Sequence, residues 1–204
     1  MIYFWHIFYG IVMAYFGLIS PGMLNMTALK IRIDTSKGAS IQFALGAAFI
    51  VFIQAGIALF FADFFIKNPQ VIEILKIAAV FVFFLLAVFF FFLSQRKLKS
   101  KAKNEKGNYF FKGIAMSSVN MLAIPFYLGI SIYLAKVDKI IIDHPYIMLF
   151  VFGACLGSFL LFYTYIVFAK FIINRISFIA KNINLILSLL FLALGIITLI
   201  KILR

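Results

Sequence analysis

The chain has 204 residues, 66% of them hydrophobic and 12% charged, with 28 Phe and a formal charge of +13. Soluble domains are roughly half apolar and a quarter charged, so lipid must be the main solvent here, and most Phe side chains must face acyl chains because a single core of this size cannot hold them. The basic residues lie between apolar runs and form no stripe for nucleic acid, and the single cysteine, Cys155, excludes an intramolecular disulfide, a CxxC redox pair and a cysteine zinc cluster.

A helix crossing the hydrocarbon needs about 20 mostly apolar residues, and six runs supply them. The first, Ile2 to Leu29, has no Lys or Arg before Phe16 and outruns a signal-peptide core, so it reads as a mature membrane helix. It is interrupted by Ser20-Pro21-Gly22-Met23-Leu24-Asn25. A proline inside a helix lacks the N–H for the carbonyl four residues earlier and crowds it, so Pro21 is expected to free the carbonyl of Gly17. In hydrocarbon such a break persists only where protein, water or a ligand satisfies it.

The second run, Ile41 to Ile66, carries Gln54 near its middle, either as glue between helices or as a pore-lining contact. Asp63, near its end, reads as an interfacial carboxylate. The third run is Ile74 to Leu93, and a basic linker from Arg96 to Lys112 follows it. The fourth, Phe110 to Ala135, places Ser117, Ser118 and Asn120 ahead of Pro125, which is expected to free the carbonyl of Met121. The fifth, Tyr146 to Ile173, contains Gly153-Ala154-Cys155-Leu156-Gly157, whose small residues let two backbones approach. Its partner is a helix of the same chain or, in a homodimer through Gly153 and Gly157, of a second copy; Ser158, Tyr163, Thr164 and Tyr165 make the span another candidate cavity wall. The sixth is Ile183 to Ile200.

Of the 19 Lys and Arg, 13 fall in the first, third and fifth connections. The positive-inside rule puts those connections in the cytoplasm and both termini outside. Cutting at the linker (95–109) leaves two parts of one membrane domain, 1–94 and 110–204, with three spans each. An odd number of spans per part makes any shared fold an inverted repeat, a design of many secondary transporters. Gly10-Ile11-Val12-Met13-Ala14 precedes Pro21 by about the distance that Gly113-Ile114-Ala115-Met116-Ser117 precedes Pro125. The fold class is thus an all-α integral membrane protein of six transmembrane helices in two inverted three-helix repeats.

No catalytic constellation, metal-ligand set or cofactor motif appears. His6 and His144 have no acidic pair suited to a metal, and a serine without a positioned base is only a hydroxyl. The polar residues at the two breaks, with Gln54 of the second run, form the candidate binding site: Ser20, Asn25, Gln54 and Asn120 contact a solute or satisfy freed carbonyls, Gly22 lets the backbone bend, and Pro21 and Pro125 hold the breaks open. Half-helix ends add partial charges suited to a polar or zwitterionic solute. The leading expectation is a secondary transporter of such a solute; an inorganic-cation transporter and a non-transporting scaffold are the alternatives.

Ile19-Ser20-Pro21-Gly22, followed by Lys37-Gly38 and Leu45-Gly46, together with Phe111-Lys112-Gly113 leading to Asn120 and a following proline, resembles the LysE/RhtB family of amino-acid exporters over nearly the whole chain. The resemblance implies two inverted three-helix repeats in the inner (cytoplasmic) membrane and export of amino acids or similar small metabolites driven by the proton motive force. Met23 and Met121 stand where the family pattern has second prolines, which implies milder breaks. Ile50 and Val51 occupy the neighbourhood of a frequent acidic residue.

Overall fold

The structure is a computed structural model. It describes residues 2–95, 107–120 and 122–203, and all their side chains except those of 69, 71–76, 78–79, 93–95, 173–184 and 186–187. Apolar runs in hydrocarbon must satisfy their backbone groups internally, which leaves the helix as the open choice. The described residues form helices α1 (Ile2–Gly17), α2 (Met23–Asp34), α3 (Lys37–Lys67), α4 (Pro69–Gln95), α5 (Tyr109–Ser118), α6 (Ala123–Lys136), α7 (Tyr146–Val167) and α8 (Ala169–Leu203). The side chain of Ser36 accepts from Ala39 N–H at 3.1 Å and so caps α3. That of Asn108 accepts from Phe110 N–H at 3.1 Å and so caps α5.

All six apolar runs are therefore helical, the first and fourth as broken pairs. Among the described residues, α3 and α7 are each long and apolar enough to cross a membrane, and α5 with α6 makes a third span if the bent pair counts as one. Large apolar side chains face outward, with Phe60 70% and Leu85 69% exposed, a surface that water would penalise and lipid accepts.

Two boundaries differ from the sequence expectation. The fifth run ends at Val167, and after Phe168 α8 continues as helix through Lys170, Arg175 and Lys181, where a loop was expected. No Gly or Pro lies between Ala169 and Lys181 to end a helix, and the basic residues alone do not. Likewise α4 starts at Pro69, directly after the single non-helical residue Asn68, because proline fits the first helical position.

The chain divides into two compact units. One contains α1 to α3, α5 to α7 and the start of α8; the other contains α4 and α8 from Ile176 onward. In the second unit Ser188 donates to the Ala87 carbonyl at 2.8 Å, and the Phe191 ring stacks on Phe90 and Phe83 with centroids 5.8 and 6.1 Å away.

The first unit is joined by backbone-to-backbone contacts at glycines. A Cβ on Gly10 would collide with the Phe150 carbonyl, one on Gly153 with the Ile7 carbonyl, and one on Gly157 with the Ile11 carbonyl. These pairings make α1 and α7 parallel. The small-residue motif of α7 thus meets α1 of the same chain. A Cβ on Gly113 would meet the Phe43 carbonyl and one on Gly46 the Phe110 carbonyl, joining α5 to α3. The two contacts share one register: Gly10 faces Phe150 and Ala154 around Gly153, as Gly113 faces Phe43 and Ala47 around Gly46.

Candidate functional site at the paired helix breaks

Ser20 precedes a proline and is pushed toward extended backbone, so the first run stops being helical between Gly17 and Met23. Pro21 lies in that connection and not inside a helix. The milder kink expected from Met23 is instead a full interruption, which takes the carbonyls of Leu18, Ile19 and Ser20 out of the helix. All three are satisfied. The buried Asn25 donates its amide nitrogen to the Leu18 and Ser20 carbonyls at 2.7 Å each, and the Tyr165 hydroxyl of α7 donates to the Ile19 carbonyl at 2.7 Å. Tyr15 and Thr164 add a contact between hydroxyls at 3.1 Å on the same pair of helices.

Gly22 does not use its conformational freedom. Its φ of −76° and ψ of 177° suit any residue, and a Cβ there would find only the Ser20 carbonyl at 3.8 Å. The expected need for glycine at this bend is therefore not met.

At the second break α5 and α6 diverge by 66°. Pro125 stands in the first turn of α6 and is exposed, where its missing N–H is one that the helix start leaves unpaired anyway. The expectation that Pro125 causes the break by freeing the Met121 carbonyl is corrected on this point: the interruption precedes Pro125, and Met121 itself lies outside the described residues. Here the amide nitrogen of Gln54, from α3, donates to the Ser117 carbonyl at 3.0 Å and to the Asn120 carbonyl at 3.2 Å. With two carbonyls as neighbours the amide orientation is fixed, since only the nitrogen can donate. Ser117 also donates through its hydroxyl to the Ala47 carbonyl at 3.1 Å.

Among the described residues, each break thus has one carboxamide nitrogen that bridges two of its carbonyls. This meets the requirement that non-helical backbone at membrane depth be satisfied by protein. The breaks also adjoin one another. Gly17, ending α1, abuts the ring of Phe126 in the first turn of α6, and Ala14, Leu18, Ala123, Ile124, Phe126 and Tyr127 pack in one apolar cluster with Val51 and Ala55, which flank Gln54 on α3.

Of the predicted residues, Asn25, Gln54 and Asn120 take part in closing the breaks, while Ser20, Pro21 and Gly22 form the first break. Ser20 is exposed, and Pro125 stands beyond the second break. Sequence reasoning missed Tyr127, wholly buried, because its neighbours are apolar and nothing distinguishes it from a packing residue. The role of His6 was also missed. Its Nδ1 bonds to the Ile2 carbonyl and its Nε2 accepts from Ile141 N–H, each at 2.8 Å, so both ring nitrogens are engaged by backbone and tie α1 to the connection before α7.

The family model describing LysE type translocators matches residues 15–201, from just ahead of the first break almost to the end of α8. The chain belongs to the LysE type translocator family. Among curated proteins and among solved structures, none matches it. As a LysE type translocator it is a multi-pass membrane protein of a transporter family.

Proposed function

We propose that this translocator exports small polar metabolites of amino-acid type across the cytoplasmic membrane as a secondary transporter, with the solute engaged where the two breaks adjoin. The observation that carries the reading is the meeting of both breaks at one buried cluster. In secondary transporters, discontinuous helices at a repeat interface present half-helix ends to the solute, and Asn25, Gln54 and Asn120, with Ser20 to Gly22, line that place here.

Two inverted three-helix repeats are the proposed frame. The shared register of the Gly10–Gly153 and Gly113–Gly46 contacts supports it, as does the division into units that each draw on both halves of the chain. The parallel run of α1 and α7 agrees with their being first and fifth crossings. Depth agrees as well. At 1.5 Å per residue, the 16 residues of α1 descend about 24 Å from one side and the 10 residues of α5 rise about 15 Å from the other. A membrane about 40 Å thick with its headgroups lets them meet.

The test is flux in liposomes containing the purified protein, with an imposed pH gradient and the twenty amino acids as solutes. Uptake of at least one amino acid above that of empty liposomes, enhanced by the gradient, is expected; flux of none overturns the reading. Orientation has its own test. In intact cells an amine reagent that cannot cross the membrane should modify Lys139 and reach Lys112 only after lysis, and the opposite pattern would invert the proposed topology.

A further inference from the structure

The closed breaks leave a specific remainder. Among the described residues, two buried side-chain polar atoms have no hydrogen-bond partner: Oε1 of Gln54 and the hydroxyl of Tyr127. Gln54 is 5% exposed and Tyr127 0%. Buried polar atoms in proteins are overwhelmingly paired, and an orphan calls for an explanation. The two lie in one neighbourhood, since Tyr127 packs in the cluster formed with Val51, Ala55 and Ala58 around Gln54, Ala14 at the end of α1 and Ala123 at the start of α6.

We infer that Gln54 Oε1 and the Tyr127 hydroxyl are the contacts that read the transported solute, while the carbonyls freed by the breaks are structural and already closed. This deepens the proposed export function and rests on it. The assignment follows from which valences are taken. The nitrogen of Gln54 is committed to Ser117 and Asn120, so the residue presents only an acceptor and its partner must bring an N–H or O–H. Tyr127 presents a hydroxyl that can donate to a carboxylate. An acceptor and a donor, both shielded from water, suit the ammonium and carboxylate of a zwitterion and give a metal cation a poor oxygen set.

The inference separates function from stability. An unpaired buried hydroxyl contributes nothing to folding and carries its desolvation cost, so Tyr127→Phe should leave thermal stability unchanged or slightly raised. If the solute supplies the missing partner, the same variant should raise KM for the transported amino acid about tenfold in liposomes, the worth of one shielded hydrogen bond to a charged group. On wild-type protein, the matching carboxylic acid without its amino group should fail to compete for transport. An unchanged KM in Tyr127→Phe, or full competition by the des-amino acid, overturns the inference while the export reading stands. Lower thermal stability of Tyr127→Phe overturns it too, because the hydroxyl would then have a partner within the protein. No flux of any amino acid by the wild type removes the export reading and this inference together.

Discussion

Gly153→Leu is expected to yield no folded protein, and Gly153→Ala to lose about 3 kcal/mol or more, at the upper end of what overpacking a well-fitted contact costs. The added Cβ meets the Ile7 backbone carbonyl, which cannot rotate away as a side chain would, so α1 and α7 must separate along the stretch that also holds Gly10 and Gly157. In lipid there is little hydrophobic force to compensate, because acyl chains are as apolar as leucine and close packing is a main source of helix association. Gly113→Ala should behave alike through the Phe43 carbonyl. The controls are glycines without such neighbours. Gly22→Ala should be neutral, and Gly56→Ala, with nothing within 4 Å of the new Cβ, neutral or up to about 1 kcal/mol stabilising from helix propensity. Folded yield and the thermal midpoint in detergent distinguish the two groups, and equal losses in both would refute the described α1–α7 contact.

These glycines also mark how far the sequence could be read. Lipid as solvent, six helical runs and an interruption near Pro21 follow from composition and proline chemistry alone, whereas the second interruption was expected at Pro125 and lies ahead of it. Gly10 and Gly113 were visible as the heads of two similar pentapeptides, but their partners were not, because a helix that is apolar all round has no stripe to betray its neighbour. Gly153 and Gly157 announced a close contact without saying with what. Helix ends were misplaced where charge was taken for a loop, as at Lys170 to Lys181, since lysine ends a membrane crossing without ending a helix.

The candidate site divides along the same line. That Asn25 sits at a break was legible, as was the need for donors at bare carbonyls, but that Gln54, in the middle of the second run, reaches the other break was not. Which carbonyl each amide reaches depends on the fold: Gln54 bonds to residues 63 and 66 positions later in the chain. Pro125 drew attention by residue type, yet it stands in the first turn of α6, beyond the break. Tyr127 drew none, because its chemistry arises from what its hydroxyl lacks.

Gln54→Leu is expected to lower stability by about 2 kcal/mol and transport at least tenfold. The substitution keeps the bulk of the side chain and removes two donors, each worth about 1 kcal/mol net. The Ser117 and Asn120 carbonyls retain backbone donors, Asn120 N–H at 3.0 Å and Ala123 N–H at 3.4 Å, so the break loosens without collapsing. Transport should suffer more than folding, because the substitution also removes Oε1, the acceptor assigned to the solute. Gln54→Glu discriminates further. A carboxylate sets oxygen against both carbonyls, and even the protonated acid has one hydrogen for two acceptors. If Gln54 staples the break, Glu at this position should be at least as damaging as Leu to the thermal midpoint in detergent. If instead the side chain only lines a path, Glu, the closer match in shape and polarity, should be the better tolerated of the two, and that order would refute the bridging role of the amide.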